Sequence, residues 1–286
     1  MPLNCTDRST ASWREVTHKL HDENVMVTWV DAPERGELLA LGDRCTVELS
    51  PRIEGCLLTS AAAQSPTLLT LEALRQAGLA LAHVCGSAAV GVTMLANAIR
   101  LQWRRPPEHP PVRVWCSIVV TDVVYRRGRL HRLTFDAEIC DETTPLAYGH
   151  GDMTCIPHAV YARMRRDAAM SEPAGRPPQP LSDVVVTDSR LTARTDWDTS
   201  DRLIFDHPLD HVPGMHFALA ALRTHAALRG VDWTEDRGVE LQFSTLAELD
   251  GDLTVSARRE VGYTAIDFHQ GGSTVATARC PDEVLA

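Results

Sequence analysis

The sequence has no excess of basic residues, no apolar run long enough to span a membrane and no closely spaced cysteine pair. Its net charge of -10 argues against a nucleic-acid partner, because neutralising many phosphates requires a basic surface. No segment reaches the roughly 18 apolar residues of a membrane span, and the N-terminus has no apolar signal stretch. We therefore expect a cytoplasmic protein that binds neither nucleic acid nor a membrane.

The eight cysteines are scattered along the chain without a C-x-x-C motif. Several lie within apolar, strand-like runs, which favours reduced core thiols over disulfides or zinc ligands. With 286 residues, of which 44% are hydrophobic, the chain can bury a substantial core. Its length suggests one large domain or two of ordinary size.

The predicted order of elements occurs twice. In each copy a strand precedes an apolar helix, at about residues 66–84 and 213–228, and several alternating strands follow. A proline-rich segment separates the copies and is too poor in apolar residues to be core. We predict an N-terminal repeat over residues 1–169, a linker over 170–181 and a C-terminal repeat over 182–286. One apolar helix per several strands implies a sheet curled around that helix, and two such units can share one continuous sheet.

The loop over residues 206–215 concentrates groups that carry chemistry. Asp206, His207, Asp210 and His211 precede Pro213-Gly214, where a helical pattern begins. Free backbone N–H groups at Gly214 would suit a thioester oxyanion. Two alternatives stay open: the aspartates and histidines simply satisfy a turn, or they supply ligands to a metal, although no defined zinc spacing is present.

The first helix carries polar residues along one face. Glu72, Arg75, Gln76 and His83 fall on one stripe of an otherwise apolar helix. A buried carboxylate needs a partner, and Arg75 lies one turn away from Glu72. The alternative to a catalytic role is an ion pair that only fixes the helix against its sheet.

Four short segments together resemble one known family. They are T-H-K at residues 17–19, E-A-L-R-Q-A-G at 72–78, D-H-P at 206–208 and D-H-V-P-G-M at 210–215. This combination resembles the AfsA family, the A-factor biosynthesis hotdog proteins, and the likeness runs through both repeats.

The resemblance implies an α+β double hotdog, with curled antiparallel sheets each wrapped around a central helix. It also implies transfer of a β-ketoacyl group from an acyl carrier protein thioester to the hydroxyl of dihydroxyacetone phosphate, or of a similar small phosphorylated alcohol. The product would lead to a γ-butyrolactone, butenolide or furan signalling molecule. The resemblance brings no metal and no cofactor, and the sequence leaves a homodimer open.

The chain departs from the family pattern in an informative way. The second helix has Leu219 and Leu222 where the family usually has Glu and Arg. The first copy lacks the Pro-Gly turn before its helix, and its residues 50–54 contain no histidine where the family tends to have one. More distantly, the Pro-Gly turn looks like that of hotdog dehydratases, whose sites combine the helix of one unit with the loop of the other. Carried over to this chain, the arrangement predicts two sites. One is competent, where the helix at 66–84 meets the loop at 206–215. The other is degenerate, where Leu219 and Leu222 face residues 50–54.

The resemblance assigns roles within that composite site. Glu72 would be the general base, with a raised pKa if desolvated, and Arg75 would hold a phosphate or balance Glu72. The catalytic set is then Glu72, Arg75, His207 and His211. The predicted substrate-binding set is Gln76, His83, Asp206, Asp210 and Gly214.

Other functions stay open on the residues alone. The runner-up is a hotdog dehydratase or thioesterase acting on a carrier-bound acyl chain, favoured by the missing second Glu and Arg. A non-catalytic hotdog protein that binds an acyl ligand is the third possibility, since one site already looks degenerate. Arginines at 126–129 and 163–166, including Arg165, offer a basic surface for an acidic carrier protein.

Overall fold

The computed structural model describes residues 12–31, 38–51, 60, 62–86, 88–89, 91–109, 111–142, 144–170 and 180–285. Two long helices stand out against a large sheet. The α-helices in this part of the chain are α1 (Trp13–Val16), α2 (Pro66–Val84), α3 (His158–Met164) and α4 (Gly214–Arg229).

The strands form one antiparallel sheet. They are β1 (Val27–Asp31), β2 (Arg44–Leu49), β3 (Thr93–Trp103), β4 (Val114–Arg126), β5 (Arg129–Asp141), β6 (Thr144–Ile156), β7 (Ser182–Thr187), β8 (Arg190–Thr195), β9 (Gly238–Phe243), β10 (Leu253–Glu260), β11 (Tyr263–Gln270) and β12 (Ser273–Pro281). Their order across the sheet is β1-β2-β4-β5-β6-β3-β9-β12-β11-β10-β8-β7.

This strand order contains the same arrangement twice. Reading inward from one edge gives the first, second, fourth, fifth, sixth and third strands of the first half, and reading from the other edge gives the equivalent strands of the second half. The halves join where β3 pairs antiparallel with β9, with Ile99 opposite Leu241 and Leu101 opposite Val239. The predicted α+β double hotdog is confirmed, and its two curled halves share one continuous sheet.

Helices α2 and α4 occupy the core, one in each half. Helix α2 begins where Ser65 caps it, with its side chain accepting a hydrogen bond from the Leu68 N–H, and Pro66 stands at the first helical position. Helix α4 ends at Gly230, whose φ of 70° closes the helix in the left-handed region. Almost every residue of α2 is buried, Glu72 and Gln76 among them, so its polar groups must find partners inside the protein.

The sequence located both long helices and most of the strands, and missed several other elements, including the 11-residue strand β3. The predicted helices match α2 at both ends and α4 to within one residue. The strands β2, β3 and β8 and the helix α3 were not predicted. Most of the predicted linker, residues 171–179, lies outside the described residues, so the boundaries of the two repeats stay a prediction.

Two predictions from composition can be compared with the described residues. Six cysteines fall within them, and five of these are free thiols, as expected: Cys45, Cys116, Cys140, Cys155 and Cys280. Cys5 and Cys56 lie outside. No helix of the described ranges is long and apolar enough to cross a membrane.

The junction between the halves depends on a glycine, which gives a testable prediction. Gly238 begins β9 with a φ of 133°, and a Cβ there would meet the Leu101 carbonyl oxygen and lie 2.8 Å from the Gln102 Cα. We expect Gly238→Ala to lower the free energy of unfolding by at least about 2 kcal/mol, through strain and overpacking. Denaturant unfolding measures this.

The matched control is Gly262→Ala in the β10–β11 turn, where φ is also positive but a Cβ meets open space. It should cost only the backbone strain, about 1 kcal/mol. Equal losses in the two variants would contradict a tight junction at Gly238.

Candidate active site

A buried carboxylate on α2 is the centre of a charged cluster. Glu72 accepts two hydrogen bonds from Arg75, from Nε at 2.7 Å and from Nη2 at 2.8 Å. Lys19 Nζ lies 2.9 Å from the same carboxylate. The side chains of Glu72 and Lys19 are only 1% and 3% exposed, whereas that of Arg75 is 30% exposed. Arg75 therefore has a surface available to a ligand, and Glu72 and Lys19 do not.

The surroundings of Glu72 overturn the predicted raised pKa. Burial alone would raise it, but the charges of Arg75 and Lys19 and the hydrogen bonds from Arg75 and Gln76 lower the pKa of Glu72 to about 2. Both oxygens of this buried carboxylate already accept hydrogen bonds from Arg75 or Gln76, so Glu72 is poorly placed to take a proton from a substrate. Its geometry suits a residue that fixes Arg75 and Lys19 in place.

The segment between α1 and β1 links α2 to the loop ahead of α4. Gln76 donates to Glu72 Oε1 at 2.9 Å and to the Asn24 carbonyl at 2.9 Å, and accepts from the Met26 N–H at 2.8 Å. The Asn24 side chain in turn donates to Asp206, which also accepts from the Leu20 N–H. The helix of the first half and the loop of the second thus meet through residues 18–26.

Asp206 and His207 form a pair at this meeting point. Burial would raise the pKa of Asp206, but the nearby His207 ring, the hydrogen bond from the Leu20 N–H and the charge of Lys19 hold it well below its usual range. His207 Nδ1 lies 3.6 Å from Asp206 Oδ2, and the histidine side chain is 39% exposed. His207 is therefore accessible while its partner carboxylate is buried.

His83, on the last turn of α2, pairs with a histidine for which the sequence suggested no role. Its Nε2 lies 2.8 Å from the Nε2 of His18, and its Nδ1 lies 3.2 Å from the Ala88 carbonyl oxygen. The rings meet edge to face with centroids 5.1 Å apart. The signal for His18 and Lys19 was the T-H-K segment, which the resemblance named without a role.

Asp210 and His211 belong to a second network. Asp210 Oδ1 lies 2.6 Å from His211 Nδ1 and accepts from the Tyr161 hydroxyl at 2.7 Å. Arg165 donates to Asp210 Oδ2 at 3.2 Å and binds Glu248 through two hydrogen bonds of 2.6 and 2.7 Å. Arg165 is consequently committed to ion pairs and is not free to dock a carrier protein.

Glu72 and His211 share no direct hydrogen bond in the described residues, and the prediction that they belong to one site stays a prediction. Within the described part of the chain, the hydrogen bonds of His211 go to Asp210 and Tyr161, and those of Glu72 go to Arg75 and Gln76. Of the two loop histidines, His207 is the one whose charge influences the α2 side, where it contributes to the lowered pKa of His18. The hydrogen bonds of the described residues thus connect helix α2 to the first half of the loop by way of Gln76, Asn24 and Asp206.

Helix α4 begins at Gly214 behind Pro213, and no side chain caps it. Its first N–H groups thus lack the capping oxygen that Ser65 gives α2. A Cβ at position 214 would lie 3.1 Å from the Phe243 ring, so the chain is tightly packed there. Leu219 and Leu222, which stand where the family has Glu and Arg, are buried in the core. The first-copy segment without a histidine, residues 50–54, is predicted to lie opposite these leucines, but residues 52–54 of it lie outside the described residues.

The fold defines the class of the protein, and the sequence comparison defines its family. Among solved structures, the chain is similar to the 12:0-ACP thioesterase from Umbellularia californica, with a TM-score of 0.50 and 15% identity over 86% of this chain and 98% of that one. At that identity the likeness concerns the fold alone, and the class is that of hotdog proteins.

The model of the AfsA family, the A-factor biosynthesis hotdog domain, matches residues 6–157, which is more than half of the chain. The chain belongs to the AfsA family. It is 27% identical over 263 residues to the 2-oxo-3-(phosphooxy)propyl 3-oxoalkanoate synthase of Streptomyces virginiae, a match that covers 85% of this chain and 86% of the relative.

Proposed function

We propose that this protein is an acyltransferase that moves a β-ketoacyl group from an acyl carrier protein thioester to the hydroxyl of dihydroxyacetone phosphate or a similar small phosphorylated alcohol. The product would serve the biosynthesis of a γ-butyrolactone, butenolide or furan signalling molecule. The observation that carries the proposal is the similarity, along most of both chains, to a synthase whose name describes a phosphooxypropyl ester of a 3-oxoalkanoate.

The geometry of the site supports this chemistry. Arg75 uses Nε and Nη2 to bind Glu72, which leaves Nη1 for a phosphate, and its partial exposure allows a ligand to reach it. Glu72, which also pairs with Lys19, holds Arg75 in place. Asp206 orients His207, the accessible histidine, and the uncapped start of α4 offers N–H groups to the thioester oxyanion.

The roles we propose for the predicted site residues follow from these contacts. Arg75 binds phosphate, and Glu72 and Gln76 are positioning residues. His207, held by Asp206, takes part in proton transfer to the departing thiolate. Tyr161 fixes His211 and Asp210 at the other end of the loop by hydrogen bonds. His83 contributes by positioning the ring of His18.

The test is to incubate the protein with a β-ketoacyl carrier protein and dihydroxyacetone phosphate and to follow the products by mass spectrometry. We expect the phosphorylated β-keto ester together with the free carrier thiol. Release of the free β-keto acid alone would indicate a thioesterase. Loss of water from a β-hydroxyacyl carrier protein would indicate a dehydratase, and acyl binding without turnover would indicate a non-catalytic protein. Each of these three results contradicts the acyltransferase proposal.

A further inference from the structure

His18 is held in an unusual backbone conformation beside the cluster. It lies between α1 and β1 with a φ of 55°, in the left-handed region that non-glycine residues seldom occupy. Such a conformation costs free energy and persists only where surrounding contacts enforce it. Here the conformation closes α1 as a Schellman cap, in which the His18 N–H donates to the Glu15 carbonyl at 3.3 Å and the Lys19 N–H to the Arg14 carbonyl at 2.9 Å. The ring of His18 contacts that of His83, with 2.8 Å between the two Nε2 atoms.

The hydrogen bonds of His83 determine which nitrogen of His18 is free. The Ala88 carbonyl oxygen can only accept, so His83 carries its proton on Nδ1. The Nε2 of His83 is then an acceptor, and the short contact requires His18 to donate from its own Nε2. The Nδ1 of His18 keeps its lone pair, and no hydrogen bond within the described residues uses it.

Burial and the neighbouring charges keep the ring of His18 neutral in the resting protein. Burial, then His83 and Arg75 from α2, then His207 from the loop, lower the pKa of His18 to about 3. Lys19 adjoins it in the chain, and Glu72 and Asp206 are the carboxylates of the same cluster. Because Arg75 contributes to this lowering, a phosphate bound to Arg75 would offset its charge and make His18 more basic once the acceptor is in place.

We propose that His18 is the general base of the acyl transfer, that its Nδ1 takes the proton of the attacking hydroxyl, and that His83 is the positioning residue that fixes the ring. The inference rests on the proposed function and adds to it a base with an unused lone pair on Nδ1, whereas both oxygens of Glu72 already accept hydrogen bonds. The alcohol oxygen forms a bond to the thioester carbonyl carbon as its proton passes to His18. The carbon–sulfur bond then breaks, and the protonated His18 passes this proton by way of His207 to the departing thiolate, so that the carrier leaves as a thiol and both histidines end in their starting protonation states.

The first test is His18→Asn. Asparagine tolerates the left-handed backbone but has no ring nitrogen to act as a base. We expect kcat to fall by about 10²- to 10⁴-fold while the KM for the carrier thioester stays within about threefold. The acidic limb of the pH profile of kcat, which reports groups in the complex with bound acceptor, is expected in the wild type and should disappear in the variant. The matched control is His109→Asn, in an exposed loop ahead of β4, which should leave both quantities unchanged.

The second test addresses His83 and does not depend on the folding of the first variant. His83→Ala should lower kcat and alter the acidic limb, and His83→Gln, which keeps a hydrogen-bond acceptor for His18, should restore part of the rate. If the wild type forms the ester and either His18→Asn or His83→Ala keeps the wild-type kcat and pH profile, the inference is overturned and the proposed function stands. If the wild type forms no ester with any acceptor, the proposed function itself fails.

Discussion

Replacing Glu72 by Gln should lower the free energy of unfolding by about 3–5 kcal/mol, because it leaves two cations near the core without their carboxylate. Lys19 is almost fully buried against Glu72, and Arg75 binds it through two donors. The glutamine has nearly the same shape, so the loss reports charge and hydrogen bonding rather than volume. Denaturant unfolding of the two proteins at neutral pH measures the difference.

The matched control is Glu48→Gln on β2. Glu48 pairs with Arg113, but the arginine side chain is 56% exposed, and exposed ion pairs contribute about 0–1 kcal/mol. A double variant that also carries Lys19→Met removes one of the two cations left without a carboxylate, and it should recover part of the lost free energy of unfolding. If Glu72→Gln cost no more than Glu48→Gln, the cluster would not be holding the helix and the segment before β1 together.

The pH dependence of this difference follows from the lowered pKa of Glu72. A carboxyl group whose pKa is lower in the folded than in the unfolded state contributes stability above its unfolded value, here 4.5, and loses it as the pH falls. The gap between wild type and Glu72→Gln should thus be constant above about pH 5. It should shrink towards pH 2, the folded value. A gap that widened on acidification would contradict the lowered pKa.

The two long helices could be predicted because their sequence signals are local. Helix α2 has a capping serine, a proline at its first position and a continuous apolar pattern, and its predicted bounds match the observed ones. Strand β3 lacks such signals, because its first residues are only partly buried and its register shifts near Asn97. Its position at the centre of the sheet comes from pairing with β6 and β9, which are distant in sequence.

The candidate site was predicted in part for the same reason. Glu72, Arg75 and Gln76 share one helical face, so their mutual contacts follow from spacing. The contribution of Lys19 does not, because it pairs with a residue 53 positions away in the sequence, and no local pattern records that contact. Conversely, Asp210 and His211 adjoin Asp206 and His207 in sequence, yet Tyr161 and Arg165 hold them in a separate network. Within that loop, adjacency in sequence did not predict which residues share a hydrogen-bond network.

Arg75→Lys should separate the phosphate-binding role of Arg75 from its structural role. A lysine can still pair with Glu72, but it cannot bind that carboxylate through two donors and present a third to a phosphate. Loss of a charge-assisted hydrogen bond costs about 1.5–3 kcal/mol. We therefore expect kcat/KM for dihydroxyacetone phosphate to fall about 10- to 100-fold, and the much slower reaction with dihydroxyacetone to change by less than about threefold. Both acceptors would be assayed with the same carrier thioester.

The control for Arg75→Lys is Arg132→Lys, because Arg132 binds Asp152 through the same two donors, at 2.9 and 2.6 Å, on β5 and β6. This change should leave the ratio between the two acceptors untouched. If Arg75→Lys slowed both acceptors equally, Arg75 would be a structural partner of Glu72 and the phosphate would bind elsewhere. A selective loss with the phosphorylated acceptor would instead connect the cluster to catalysis, because phosphate at Arg75 is what raises the basicity of His18 in the proposed transfer.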